Sequence, residues 1–229
     1  MKKIGILGGI SSASTVDYYK KLMELHYEAH HDYYYPEVVI ESLNFQYFTD
    51  LENTNAMEEY KAYILKGIRN LEAAGAELII MAANSPHSVF PEVKPFAKVP
   101  MISIVEAVGA RAKAAGLKKV LLTGIKYTMQ RTFYRDGLAP FGIEVISPEE
   151  EDQDIIERII FDELVIHRIT PTAQRTFVRL IEKYVQSDHV QGVILGCTEL
   201  PSLAAGLELP VMGLNSLQIH CEETLKQVY

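Results

Sequence analysis

Apolar and polar positions along the chain switch repeatedly between short unbroken runs and longer stretches with helical spacing. Residues 3–7 form a short apolar run that breaks at Gly8-Gly9, the mark of a buried strand ending in a tight turn. From about Ser14, the residues Val16, Tyr19, Leu22, Met23 and His26 recur at helical spacing, and Ser11, Ser12 and Ser14 offer N-cap oxygens. Residues 38–43 read as a second strand. Residues 55–74 form an amphipathic helix with Tyr60, Ile64, Ile68 and Leu71 on one face, closed by Gly75 before a strand over 77–81. The alternation then returns: a helix over 105–115, a strand over 119–122 ending at Thr123-Gly124, and a short strand over 145–147. Helices over 157–167 and 172–186 follow, then a strand over 190–195 ending at Gly196-Cys197.

Strands alternating with helices imply parallel βαβ units with right-handed crossovers. A faint repeat accompanies them. Gly8 and Ala83 are 75 residues apart, Gly124 and Cys197 are 73 apart, and both later breaks run into a similar string, Ala83-Asn84-Ser85-Pro86-His87 and Cys197-Thr198-Glu199-Leu200-Pro201. The expected fold is therefore α/β, with two similar lobes, each built on a parallel four-stranded sheet and related by a pseudo-twofold, facing each other across an active-site cleft. The expected lobes are residues 1–99 together with 207–229, and residues 100–206, with 95–100 carrying the chain between them. Ligands of parallel sheets sit at the carboxyl ends of the strands, so the strand breaks are where chemistry is expected.

Composition narrows the function. With 22 basic and 30 acidic residues among 229, the formal charge is −8. Duplex-binding surfaces usually carry a basic excess, so no nucleic-acid partner is expected. No apolar run approaches the roughly 20 residues needed to span a bilayer, and glycines interrupt the first apolar run too early for a secretory leader. Two cysteines, Cys197 and Cys221, are too few for a disulfide framework. The expectation is a cytoplasmic protein with no membrane partner.

Several motifs have plain explanations. Gly5-x-x-Gly8-Gly9 lacks the spacing of a dinucleotide fingerprint and has no Gly-Lys-Ser/Thr after it; a tight strand-to-helix turn accounts for it, with backbone N–H groups left to meet a small anion. His26 and His30 lie one helical turn apart, but Tyr27 stands where a metalloprotease helix has Glu. No metal is expected. Tyr33-Tyr34-Tyr35-Pro36 reads as a packed loop without the interleaved basic residues of a nucleic-acid platform. Cys197 differs, because it sits between a strand and an expected helix start at Thr198-Glu199, where free N–H groups lower a thiol pKa. Cys221 has no such setting and reads as buried and inert.

Gly196 to Pro201, read as Gly-Cys-Thr-Glu-Leu-Pro after an apolar strand, resembles the second-half signature of the aspartate/glutamate racemases. The opening Ile4-Gly5-Ile6-Leu7-Gly8-Gly9 with Ser14-Thr15 is similar to that family's first turn, and Ala83-Asn84-Ser85-Pro86-His87 falls where the family has Cys-Asn-Thr-x-His. Tyr127-Thr128-Met129 with Phe133-Tyr134 resembles the start of the second lobe. Ile159-Ile160-Phe161-Asp162-Glu163-Leu164 resembles the helix before the second site strand. The resemblance implies a racemase that needs no pyridoxal phosphate or other cofactor, acts on a small acidic amino acid, and is commonly a homodimer. Two cysteines would flank the α-carbon, one as thiolate base and the other as thiol acid. It also implies that Cys197 is the base. Asn84, Ser85 and Thr198 would hold the α-carboxylate and α-amino group, and Glu199 would accept from the ammonium or orient Cys197. Thr128 and Arg168 would serve the distal carboxylate.

The chain departs from this pattern where it matters most. Ala83 occupies the position of the first cysteine and can neither take nor give a proton. Ala13 replaces a Glu of the first turn, Ile125 replaces a Thr after Gly124, and Ile166 stands near the expected Lys, with His167 and Arg168 following. Three readings stay open: an atypical, one-sided racemase with a water serving the second face, a single-cysteine decarboxylase on the same fold, and a pseudo-racemase that binds a dicarboxylate or amino acid. His87 reads as a turn or cap residue.

Overall fold

The computed structural model describes all residues from Met1 to Tyr229, which divide into two compact units, Met1–Ile104 with His220–Tyr229, and Val105–Ile219. In the first unit the chain runs β1 (Ile4–Gly8), α1 (Ser12–His30), β2 (Val38–Ser42), α2 (Phe45–Asn53), α3 (Met57–Ala73), β3 (Leu78–Met81), a 3-10 turn at Ser85–Val89, α4 (Phe90–Val93) and β4 (Met101–Ile102). The strands form one parallel sheet in the order β2-β1-β3-β4, with Ile4 beside both Val38 and Leu78. Central β1 and β3 are apolar and buried along their whole length, whereas β2 at the edge is partly exposed, the pattern of a parallel sheet covered on both faces.

The second unit repeats this order: α5 (Ile104–Ala114), β5 (Lys119–Thr123), α6 (Lys126–Gln130), α7 (Phe133–Leu138), β6 (Glu144–Ile146), α8 (Glu150–Asp162), α9 (Pro171–Asp188), β7 (Gly192–Leu195), α10 (Leu200–Ala204), β8 (Met212–Asn215) and α11 (Ser216–Val228). Its parallel sheet has the order β6-β5-β7-β8, so β1 and β3 of the first unit correspond to β5 and β7 of the second. Phe177, Leu180 and Ile181 of α9 and Ile156 and Ile160 of α8 join Leu121 and Val193 in its core.

The α/β fold with two parallel four-stranded sheets is as expected, but several details move. The run 95–100 leads into β4 of the first sheet instead of leaving it, since Ile79 N–H donates to Pro100 O and Met101 pairs with Ile79. Residues 212–215 pair with β7, so 207–219 belong to the second unit and the chain re-enters the first unit at His220, within α11. The helix expected over 157–167 begins earlier, at Glu150, where Glu150, Glu151 and Asp152 suit the positive end of the helix dipole. The buried stripe of α1 is Ser14, Thr15, Tyr18, Leu22 and His26, while Val16 and Tyr19 face outward. The small polar residues of its first turn pack against the strand ends, which rotates the face by about one position from the apolar pattern.

Candidate active site

In the first unit, the ends of β1 and β3 are joined by the first turn of α1. Ser11 caps that helix by accepting from Ser14 N–H, and Thr15 Oγ1 accepts from Gly9 N–H at 2.8 Å and donates to Ser11 O at 2.8 Å. Ser14 Oγ donates to Ala82 O, so the turn is tied directly to the residue before Ala83. Gly9 has φ +79°, and a side chain there would run into the backbone of Leu43. Close packing thus accounts for the glycine run without a nucleotide. Ala83, two residues beyond the end of β3, packs in the apolar cluster of this unit. Asn84 and Ser85 follow it and are buried.

His87 braces this turn. Its Nδ1–H donates to Ala83 O at 2.9 Å, and its Nε2 accepts from Ile104 N–H at 3.1 Å. Burial, with buried His220 beside it, holds its pKa well below the ordinary value, so the ring is neutral. With both nitrogens engaged, His87 is the turn residue that the sequence suggests.

The second unit builds the equivalent strand ends differently. Cys197 lies two residues beyond the end of β7, as Ala83 does beyond β3. Its Sγ–H donates to Glu199 Oε2 at 2.9 Å, and Thr198 Oγ1 donates to the same oxygen at 2.9 Å. The strand ends beneath are tightly joined: Gly196 N–H donates to Thr123 O at 2.8 Å, Thr123 Oγ1 to Ile194 O at 2.7 Å, and Ser216 Oγ to Leu195 O at 2.8 Å. Thr123 and Ser216 are site-supporting residues that the sequence reading missed. Thr123 was legible in principle, as a hydroxyl beside the strand-ending Gly124; Ser216 was not, because nothing local marked β8 and α11.

The expected low thiol pKa is not found. The helix after Cys197 starts only at Leu200 and is five residues long, too short to supply a substantial dipole. Burial, followed by the Glu199 carboxylate, pushes the thiol well above its ordinary range, against the opposing pull of the Thr198 and Glu199 backbone N–H groups. Cys197 is a protonated thiol in this state. Cys221 is a buried thiol beside Tyr18 O.

Thr128, in α6, lies against both glycines at these strand ends: its side chain is 3.4 Å from the position of a Cβ on Gly124 and 3.6 Å from one on Gly196. Its hydroxyl is buried and has no hydrogen-bond partner. Cys197, Thr198, Glu199 and Thr128 are therefore grouped by one pair of strand ends. Arg168 is exposed, and its hydrogen bonds run to Asp162 O and Glu163 O, not to this group. No group of three or more His, Cys, Asp or Glu side chains is placed to hold a metal ion; His26, the obvious candidate, is buried with its nitrogens on Tyr229 Oη and Asp32 Oδ1. No helix is long and apolar enough to cross a membrane.

Known proteins resemble this chain in sequence and in fold. The sequence profile of Asp/Glu/Hydantoin racemases matches residues 7–224. A glutamate racemase from Parafrankia sp. is 30% identical over 179 residues, which are 75% of this chain and 60% of that protein. One from Corynebacterium kroppenstedtii is 31% identical over 165 residues, 69% of this chain and 54% of that protein. The chain thus spans little more than half the length of these curated relatives. The crystal structure of an aspartate racemase homologue from Pyrococcus horikoshii OT3 is 42% identical, covers 100% of this chain and 99% of that one, and superposes with a TM-score of 0.90.

Proposed function

The chain belongs to the Asp/Glu/hydantoin racemase family, and from that premise we propose that it moves a proton on and off the α-carbon of an acidic amino acid, with Cys197 as its one working thiol. The observation that carries the proposal is the asymmetry between equivalent strand ends: a thiol hydrogen-bonded to a carboxylate after β7, and an alanine after β3. The α-proton beside a carboxylate is very weakly acidic, so removing it needs a positioned base and donors for the negative charge that develops. As thiolate, Cys197 takes the proton, forming S–H, while the C–H electron pair stays on the α-carbon and spreads into the carboxylate. The thiol returns the proton to the same face. Protonation of the other face falls to a group other than the Ala83 side chain, which makes turnover slow or one-sided. No cofactor takes part in these steps. Thr198, next to Cys197, and Thr128, against the same strand ends, are the polar groups of this unit proposed to hold the substrate, and Glu199 to meet its ammonium.

The test is incubation with L-aspartate and L-glutamate in D2O, followed by proton NMR and chiral chromatography. Exchange of the α-proton that depends on Cys197 supports the proposal, and its stereochemical course shows whether one face or both are served. Saturable binding without exchange rejects it in favour of a binding protein.

The protonated state of Cys197 favours one second reading. A decarboxylase needs a single proton donor: loss of carbon dioxide leaves its bonding pair on carbon, and the Cys197 S–H supplies the proton. Release of carbon dioxide from a substituted malonate, without α-proton exchange on aspartate or glutamate, would select it.

A further inference from the structure

Glu199 holds two donors on one oxygen. Cys197 Sγ–H and Thr198 Oγ1–H both point at Oε2, each at 2.9 Å, and the half-buried carboxylate has no hydrogen bond on Oε1. The sulfur therefore faces opposing influences: a carboxylate that binds it as a thiol, and the backbone N–H groups of Thr198 and Glu199, which favour it as a thiolate. The other side chains packed at these strand ends, Thr123, Thr128 and Ser216, are uncharged, so Glu199 is the charged group facing the sulfur.

We propose that Glu199 is a positioning residue that makes ionisation of Cys197 depend on the ammonium group of the substrate. While no amino acid is bound, the carboxylate holds the thiol as its donor. A bound α-amino acid brings its ammonium to Glu199 and offsets the negative charge facing the sulfur. The S–H proton then leaves to solvent, its bonding pair stays on sulfur, and the Thr198 and Glu199 N–H groups stabilise the resulting thiolate. A dicarboxylate without an amine cannot offset that charge and leaves the thiol protonated. The device selects amino acids over plain dicarboxylates at the chemical step, and it keeps an otherwise reactive thiol quiet when no substrate is present. It rests on the acidic amino acid reading of the site, which it deepens.

The experiment is a pH titration of the ultraviolet thiolate absorbance of the intact protein, with Cys197→Ser subtracted. It is run without ligand, with α-methyl-L-aspartate, which has no α-proton to lose, and with succinate, which has no amine. Calorimetry reports binding of each. The expected result is that α-methyl-L-aspartate lowers the midpoint by about one pH unit or more, the size of an opposite charge placed nearby, whereas succinate does not lower it. Glu199→Gln should lower the midpoint of the free protein by about one unit and abolish the response to the amine, while Glu199→Asp keeps it. Equal lowering by succinate, or an unchanged midpoint in folded Glu199→Gln, overturns the gating role alone. Failure of both ligands to bind overturns the substrate reading and the gating with it.

Discussion

Whether Cys197 works as a base or rests as an acid depends on how strongly its immediate neighbours hold its proton. Burial and Glu199 win over the two backbone N–H groups, so the proton-removing form becomes abundant only above the ordinary thiol value of 9.0. Exchange of the α-proton at subsaturating substrate should therefore keep rising with pH through the alkaline range; a plateau already reached at neutral pH would contradict the protonated resting thiol. Cys197→Ser should lower exchange by at least about 100-fold, the usual contribution of a positioned general base, with ligand affinity by calorimetry changed less than about tenfold. Retained exchange in that variant would remove Cys197 from the mechanism.

At the scale of elements, the strand ends hold the candidate site residues by close backbone approach, more than by side-chain packing. A Cβ on Gly196 would lie 2.6 Å from Thr123 O, inside any real contact, so Gly196→Ala must push the end of β7 away from β5 and carry Cys197 with it. We expect a stability loss of roughly 1–3 kcal/mol in urea unfolding, the usual range for forced overpacking, and a larger proportional loss of exchange. A variant as active and stable as the parent would show that this junction can relax freely. The helix faces obey the same logic. Tyr60, Ile64, Ile68 and Leu71 of α3 are buried as their spacing predicts, because a long apolar stripe leaves only one way to cover the sheet. In α1 the stripe yields by a position to Ser14 and Thr15, whose hydroxyls are needed by the carbonyls and N–H groups at the strand ends.

At the scale of the molecule, two buried histidines of the first unit tie stability to pH. His87 and His220 both belong to the first unit, both are buried, and their rings lie 5.7 Å apart. His220 accepts from Tyr18 Oη at Nδ1 and donates from Nε2–H to Ile102 O, and burial lowers its pKa from 6.5 to about 4. Each ring is a base that the fold keeps neutral while the unfolded chain takes up a proton below about 6.5. The stability they help maintain is thus complete above that pH and falls as the pH drops toward 4. For His220 alone the loss reaches about 3 kcal/mol, and His87 adds to it in the same direction. Urea unfolding at pH 7.5 and at pH 4 should show the difference, and His220→Gln should flatten the slope between them. An unchanged slope in that variant would mean that carboxylates, and not the buried histidines, set acid stability.

Much of this architecture is written locally. Apolar runs at β1, β3, β5 and β7 and the helical spacing of α3 and α9 follow from burial with a period of their own, and they imply parallel sheets, a repeat, and chemistry at Gly8, Ala83, Gly124 and Cys197. What escaped is short or made by distant partners. Strand β4 has only two residues, and β8 is a largely exposed edge strand without the unbroken buried run of β3 and β7, so only their pairing with β3 and β7 shows where one unit ends and the other resumes. The ionisation of Cys197 escaped for the same reason. A cysteine after a strand invites a helix dipole that lowers its pKa, but dipole strength depends on the length of the helix that forms, and charge depends on which way Glu199 turns. Residue order determined that a thiol stands at this strand end and an alanine at the other; folding decided that the thiol keeps its proton, because burial and a carboxylate within hydrogen-bond reach outweigh two backbone N–H groups.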